Sequence, residues 1–195
     1  MALAAPRQQL TTAPVVRQRL TRLDEPHVHS LNAFAKALGQ MHAGVPFFDP
    51  DGGGVRARIL LLLSDPGANG AQVTRIASVD NPDKTARNLT RMLAEAKLDP
   101  RDTVNWNIVP WATSNPFSEL DAGMDALRKL LPQLTALRVV VAMGTKARHG
   151  WARLRQDYPG LRTCETWHPA QRGGAANETE IVAALRLARR MANLR

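Results

Sequence analysis

Short apolar runs alternate with longer amphipathic segments from about residue 58 to the end of the chain. The run ILLLL at residues 59–63 has no polar alternation and is too short for a typical helix, which indicates a parallel strand buried on both faces. Strands are predicted at about residues 58–63, 103–109, 138–142 and 161–166, and helices at about residues 83–97, 119–134, 145–156 and 177–193. Because strands and helices take turns, the pattern predicts an α/β fold, a three-layer α/β/α sandwich with a central, mainly parallel sheet of about four strands.

The first 45 residues follow a different pattern, which predicts helices. The segments PVVRQRLTRLDEP and HVHSLNAFAKALGQMHAG are the two helical candidates, and Gly44 is the predicted C-cap of the second. The stretch VPFFDPDGGG then reads as a turn-rich connector. No internal repeat or low-complexity linker divides the sequence, so we expect a single domain over residues 1–195, with a helical segment at 1–45 and an α/β core at 46–195.

Composition narrows the class of protein. A length of 195 residues with 44% hydrophobic content fits one globular domain with a substantial core. No apolar run approaches the roughly 20 residues that a membrane span needs, and MALAAPRQQL lacks the continuous hydrophobic segment of a secretory signal. We therefore expect a soluble cytoplasmic protein, a monomer without a membrane partner. The single Cys164 excludes an internal disulfide and leaves too few thiols for a Cys-ligated zinc or iron–sulfur site, so no metal and no cofactor are expected.

The chain is strongly basic, with 26 Lys and Arg against 17 Asp and Glu and a formal net charge of +9. Such an excess indicates a polyanionic partner, nucleic acid first. An arginine-rich composition without any local purpose would give the same excess, so charge alone does not decide the function.

Each predicted strand ends in residues that carry chemistry. The four ends read SDPGANG, NWNIVPW, VVVAMGTKA and TWHPAQRGG. In that order they contain an acid, an amide, a glycine directly before a predicted helix, and an imidazole. Parallel strands of an α/β sheet end at one edge, where such folds bind their ligands. We therefore expect Asp65, Asn107 and His168 to converge there, although they lie far apart in the sequence.

Four motifs in this order resemble those of the uracil-DNA glycosylase superfamily. SDPGA resembles the water-activating loop, NPDKTARNL the phosphate-contacting loop, NIVPW the strand with the base-reading asparagine, and WHPAQR the second catalytic loop. The likeness covers about residues 45–193 and, with one Cys, points to a divergent branch without an iron–sulfur cluster. It implies a hydrolase of base excision repair, a monofunctional DNA glycosylase that cleaves the N-glycosidic bond of uracil or another deaminated base.

The resemblance implies a role for each converging residue. Glycosidic cleavage builds positive charge on the sugar and negative charge on the base, so Asp65 is expected to position water and His168 to donate, as a neutral imidazole, to a base oxygen. Asn107 both donates and accepts, which suits reading the imide edge of a flipped uracil. In other interpretations Asp65 caps a helix, His168 is a surface residue, and Asn105 points to the same side as Asn107.

The sequence also departs from the family pattern. Gly67 replaces the tyrosine that excludes thymine in the classical enzymes, and Ala77 stands where a stacking phenylalanine is usual. Phe48, Phe47 or Trp111 could supply the missing ring, and the base-binding residues are expected to be Asn107, Gly67, Ala77 and Phe48. After His168 and Pro169 the usual apolar wedge is absent, and polar residues take its place.

Contacts to DNA phosphates are expected along the same edge. The NPDKT turn offers backbone amides at a helix start, which either Asp83 or Thr85 is expected to cap. The predicted DNA-binding side chains are Lys84, Thr85, Arg87, Lys146, Gln171 and Arg172. Two other functions stay open at this point. The chain could be a non-catalytic nucleic-acid-binding protein, or a nucleoside or nucleotide hydrolase with the same pocket.

Overall fold

The computed structural model describes residues 7–171 and 174–194. The elements in chain order are α1 (Ala13–Leu20), α2 (His29–Gly39), β1 (Phe47–Phe48), β2 (Ile59–Leu63), α3 (Ala71–Thr74), β3 (Ile76–Ala77), α4 (Lys84–Glu95), β4 (Thr103–Asn107), α5 (Leu120–Leu130), β5 (Val139–Met143), α6 (Thr145–Leu154), β6 (Arg162–Thr166) and α7 (Gly174–Met191). Helices therefore precede the α/β part, as the pattern predicts.

The main sheet has four parallel strands in the order β4-β2-β5-β6. Leu63 at the end of β2 lies opposite Asn107 at the end of β4, and Met143 of β5 lies opposite Thr166 of β6. The carboxyl ends of all four strands therefore form one edge of the sheet. The predicted α/β class, with a mainly parallel sheet of about four strands, is confirmed.

Helices cover both faces of this sheet. On one face α4 and α7 pack over a cluster that includes Ile59, Leu61 and Val141. On the other face α2, α5 and α6 pack over a cluster that includes Leu60 and Trp106. Alternate residues of β2 thus enter opposite layers, because successive side chains of a strand point to opposite faces. No helix within residues 7–171 and 174–194 is long and apolar enough to cross a membrane.

A second, two-stranded sheet lies in a region where the sequence pattern predicts only loops. Strands β1 and β3 pair in parallel, with Phe47 opposite Ile76 and Phe48 opposite Ala77.

The prediction of Gly44 as a helix C-cap is wrong, since α2 ends at Gly39 and its C-cap is Gln40. Gly44 has a φ of +77°, and a Cβ there would lie 2.8 Å from the Cβ of Ala112, so the glycine permits a close approach of two loops.

A buried ionic cluster fastens α1 to the small sheet. This arginine–aspartate cluster comprises Arg7, Arg19, Asp49 and Asp80, and Arg19 reaches Asp49 at 2.7 Å and Asp80 at 3.3 Å. Burial opposes the charge of Arg19, but the surrounding aspartates more than offset it and raise its pKa. The charges of Arg7 and Arg19 are therefore neutralised within the protein and are not available to bind a polyanion.

Candidate active site

A cavity of about 250 Å³ opens at the carboxyl edge of the main sheet. Asp65, Asn107 and His168, which the sequence places at three strand ends, all line it. They come from the loops after β2 and β6 and from the last residue of β4. Its other lining residues are Leu63, Ser64, Pro66, Gly67, Ala71, Ala77, Ser78, Asn81, Asp83, Thr85, Ala86, Leu89 and Asn105.

Asp65 is held by the residue before it. The hydroxyl of Ser64 donates to Oδ1 of Asp65, and this contact fixes one carboxylate oxygen. The following short helix, α3, has Gly70 as its N-cap and no side-chain cap, so Asp65 does not serve as a helix cap. A Cβ at Gly70 would lie 1.7 Å from Oδ2 of Asp83, so only glycine allows this loop to pack against the start of α4.

His168 reaches the cavity by crossing the end of β5. A Cβ on Gly144, which has a φ of +88°, would lie 2.9 Å from the Cβ of His168, and the glycine leaves room for this crossing. The backbone N–H of Ala170 donates to Nδ1 of His168 at 3.2 Å, which leaves Nε2 as the protonated nitrogen of the neutral ring.

The charge state of His168 follows from its surroundings. Burial lowers the pKa of His168 below its usual value, against the opposing effect of the Asp65 and Asp83 carboxylates. The nearby ammonium of Lys146 acts in the same direction as burial. The direction of this shift favours the uncharged imidazole, which can donate through Nε2.

Two amides lie next to each other on the cavity wall. Asn105 and Asn107 both face the α4 side of the sheet, since they pair with Leu61 and Leu63 in register. Neither side chain forms a hydrogen bond with any residue in the described part of the chain, and Oδ1 of Asn105 is buried without a partner. A buried polar atom without a partner is costly, as Oδ1 of Asn105 is here, and the unpaired amide of Asn107 beside it is also available to a ligand.

The other polar side chains of this wall are already engaged. The hydroxyl of Ser78 donates to Asp49 of the arginine–aspartate cluster. Asn81 accepts from the Thr74 hydroxyl at 2.7 Å and donates to the Ile76 carbonyl at 2.9 Å. Ser78 and Asn81 therefore stabilise the cavity wall, while the side chains of Asn105 and Asn107 remain available to a ligand.

The expected base-binding residues do not all reach the cavity. Gly67 and Ala77 line it, and Gly67 is exposed, with no atom within 4 Å of a Cβ built there. Phe48 does not line it, which corrects the expectation for this residue. Its ring is fully buried and stacks on Trp106 with 4.2 Å between the ring centroids, because β1 packs into the hydrophobic core.

The other two candidate rings are also engaged elsewhere. The ring of Phe47 lies against the guanidinium of Arg75, 5.5 Å from its centroid. Trp111 is buried and stacks on His42 with 3.8 Å between centroids. No aromatic ring from residues 7–171 or 174–194 lines the cavity other than the imidazole of His168.

The start of α4 forms one side of the cavity mouth. Asp83 is the N-cap of this helix and accepts from the Ala86 N–H at 3.0 Å, which settles the choice between Asp83 and Thr85. Thr85 lines the cavity, while Lys84 and Arg87 are exposed beside it. The Arg87 guanidinium also donates to the carbonyl of Pro82.

The remaining predicted phosphate contacts lie in α6 and in the loop after β6. Lys146 is half-buried in the first turn of α6, and Gln171 is exposed and donates its backbone N–H to the His168 carbonyl at 2.9 Å. Arg172 lies outside the described residues.

No group of three His, Cys, Asp or Glu side chains in the described ranges is arranged to hold a metal ion.

Several residues of the site were not identified from sequence. Ser64, Asn81, Gly70 and Gly144 all shape the cavity, yet only Gly70 and Gly144 carry a signal, since each glycine stands at a strand-to-helix turn. The partners of Ser64 and Asn81 depend on side-chain directions that a one-dimensional pattern does not reveal.

Comparison with known proteins identifies the family of the chain. No curated protein matches the chain. A solved structure described as a mutant of UNG from Nitratifractor salsuginis is similar, with 17% identity, coverage of 92% of this chain and 98% of that chain, and a TM-score of 0.44. Residues 50–188, well over half of the chain, match the family model described as the uracil DNA glycosylase superfamily. This protein therefore belongs to the uracil DNA glycosylase superfamily.

Proposed function

We propose that this protein is a monofunctional DNA glycosylase that hydrolyses the N-glycosidic bond of uracil or another deaminated base in DNA. The observation that carries the proposal is the shared cavity in which Asp65, Asn107 and His168 lie together. Membership of the superfamily supports glycosylase-type chemistry, and the cavity residues provide the groups that such chemistry needs.

Asp65 and His168 act on opposite ends of the breaking bond. Asp65 orients a water molecule, stabilises the positive charge that develops on the sugar, and accepts a proton as the water oxygen bonds to C1′. The base leaves with the electrons of the glycosidic bond, and His168 donates from Nε2 to the carbonyl oxygen on which negative charge collects. Burial lowers the pKa of His168 and so favours the neutral form of this donor.

Asn107 recognises the base, with Asn105 beside it. An amide presents one acceptor and two donors, which match the N–H and C=O groups of an imide edge. Because Ala77 provides no ring and Gly67 no side chain, the cavity does not exclude bases by close packing at these two positions. Deaminated bases other than uracil are therefore included in the proposed substrate class.

The cavity mouth suits a nucleic-acid backbone. Lys84, Arg87 and Lys146 form no salt bridge with any residue of the described ranges, in contrast to the paired arginines of the arginine–aspartate cluster. The Asp83 carboxylate already accepts from the Ala86 N–H at the start of α4, so the side chains are the stronger candidates for phosphate contacts. A flipped nucleotide would thus meet unpaired cationic groups at the carboxyl edge of the sheet.

A panel of oligonucleotides tests the proposal. Duplexes and single strands that carry uracil, hypoxanthine, xanthine or a mismatched thymine are incubated with the protein and then cleaved with alkali at abasic sites. Strand cleavage that depends on the modified base supports a glycosylase, and Asp65→Asn serves as the matched inactive control. Tight binding without abasic sites would instead indicate a non-catalytic binder, which the alanine at position 77 favours. Base release from free deoxyuridine but not from DNA would indicate a nucleoside hydrolase.

A further inference from the structure

An apolar side chain is exposed on the loop that follows β4. Phe117 lies in the segment between β4 and α5, which emerges at the same edge of the sheet as Asn107. Half of its surface is exposed, at 50%, although large aromatic rings are usually buried. Single exposed apolar residues are common, so the informative feature is the position of Phe117 at the sheet edge that carries the candidate site, and not its exposure alone.

The loop around Phe117 is held in a fixed shape. The Glu119 carboxylate accepts hydrogen bonds from the Thr113 hydroxyl at 2.6 Å and from the indole N–H of Trp111. These two bonds lower the pKa of Glu119, so the carboxylate stays ionised and keeps its acceptors. Pro116 is buried and anchors the loop next to the exposed ring. Because hydrogen bonds within the loop fix its conformation, Phe117 is preorganised before any ligand binds.

The surroundings of the ring connect it to the active site. The ammonium of Lys146 lies 5.7 Å from the centroid of Phe117, and the same ammonium acts on the pKa of His168. His149 approaches the ring edge-on at 6.3 Å between centroids. An apolar ring with a cation against it is therefore presented at the sheet edge that also carries His168.

We propose that Phe117 is the wedge that enters the base stack and fills the space left by the flipped nucleotide, while Lys146 holds the adjacent phosphate. The proposal rests on the proposed glycosylase function. Proteins that kink or open duplexes insert apolar side chains between base steps, and an aromatic ring stacks on any base without reading its sequence. The role would explain why the loop after His168 and Pro169 can be polar here, since the ring comes from a different loop.

Comparison of duplex and single-stranded substrates tests this proposal. A wedge is needed only when a base leaves a duplex, so Phe117→Ala should lower the ratio of duplex to single-strand kcat/KM roughly 10-fold. Phe117→Leu, which keeps an apolar wedge, should restore most of that ratio. Leu187→Ala is the matched control, because Leu187 is also an exposed apolar residue, at 38%, but lies on α7. Equal losses on both substrates, or no change in the ratio, would overturn the proposal.

A binding measurement separates this proposal from the proposed function. Wild-type cleavage of single strands tests the function alone, whereas the ratio tests Phe117. If the wild type cleaves neither substrate, the wedge is examined by the fluorescence of 2-aminopurine beside a stable abasic analogue in a duplex. A change with the wild type that Phe117→Ala abolishes supports insertion, and equal changes with both proteins refute it. Circular dichroism melting of each variant establishes that it is folded.

Discussion

The arginine–aspartate cluster and the cavity meet at Ser78, directly after β3, but they differ in how far their polar side chains are paired. In the arginine–aspartate cluster, the buried carboxylates of Asp49 and Asp80 are each paired with both Arg7 and Arg19. In the neighbouring cavity, the amides of Asn105 and Asn107 have no partner within the described parts of the chain. Ser78 belongs to both regions, since it lines the cavity and donates to Asp49.

This difference separates a structural polar cluster from a candidate functional one. Buried charges are tolerated when they are paired, and removing one partner leaves an uncompensated charge, so the arginine–aspartate cluster stabilises the fold. Polar groups that remain unpaired at a cavity lower the stability of the free protein and gain their partners only from a ligand. Variants in the cavity should therefore change activity, and variants in the cluster should change stability.

The largest expected effect is that of Asp65→Asn on cleavage. Loss of the carboxylate removes the group that positions water and stabilises the sugar cation, so kcat should fall roughly 10²- to 10⁴-fold. Binding of an uncleavable duplex should change far less, because the lost interaction belongs mainly to the transition state. The test is single-turnover kinetics combined with a binding titration. Full activity of the variant would mean that another group holds the water.

The opposite signature is expected for Arg19→Met. This change leaves Asp49 and Asp80 short of a partner in a buried site and should reduce the free energy of unfolding by about 3–5 kcal/mol. Arg22→Met is the matched control, since the Arg22 side chain is 39% exposed and its ion pairs should contribute only about 0–1 kcal/mol. Urea unfolding measures both. Equal losses in the two variants would contradict the structural assignment of the cluster.

Replacement of His168 by alanine is expected to have the third-largest effect. If one donor to the leaving base is lost, kcat should decrease on the order of 100-fold or more. Stability should change little, because the His168 ring faces the cavity rather than the packed core. A cleavage assay with thermal unfolding as the control distinguishes these outcomes. A variant that melts much earlier but cleaves normally would place His168 with the structural residues.

The main sheet was predictable from sequence, whereas the small sheet was not. An apolar run such as Ile59–Leu63 signals a buried strand by itself, and regular alternation with helices predicts the parallel arrangement. Strands β1 and β3 have only two residues each, which is too short to show a period. Their pairing depends on tertiary contacts between segments that look like turns in the sequence.

The site was predictable where chemistry coincides with strand ends. Asp65, Asn107 and His168 stand at such ends, so topology alone brings them to one edge. The ionic role of Arg19 was not predictable, since its partners Asp49 and Asp80 lie 30 and 61 residues away. Phe48 illustrates the converse, because a phenylalanine expected to supply the missing ring packs into the core instead.

A smaller effect should distinguish the two amides. Asn107→Ala is expected to reduce the preference for one deaminated base over the others about 10-fold, as the loss of one or two neutral hydrogen bonds would. Asn105→Ala is the companion variant, because Asn105 shares the same face of β4 two residues earlier. Relative kcat/KM values across the oligonucleotide panel measure both. If Asn105→Ala alters the preference more, the reading role belongs to Asn105.

The smallest expected effect is a pH dependence of stability that arises from His168. Burial lowers the pKa of His168 in the folded state, while the unfolded chain keeps a value of about 6.5. At pH values between the folded and the unfolded pKa of His168, the unfolded state binds more protons than the folded state. The free energy of unfolding should therefore rise with pH in this range. It should level off above about 6.5, where the imidazole is neutral in both states. The contribution of His168 is thus fully present above the unfolded pKa and is lost as pH falls through the folded pKa. It amounts to about 1.4 kcal/mol for each unit by which the pKa is lowered.

Urea unfolding of the wild type and His168→Gln at several pH values isolates this pH dependence as a difference between the two proteins. Lys146→Gln should narrow the pH range between the folded and unfolded pKa of His168, because the Lys146 charge contributes to the lowered pKa. A difference between wild type and His168→Gln that stays constant with pH would show that the imidazole titrates as it does in the unfolded chain. In that case burial would not hold the ring neutral, and the neutral donor proposed for the leaving base would lose its physical basis.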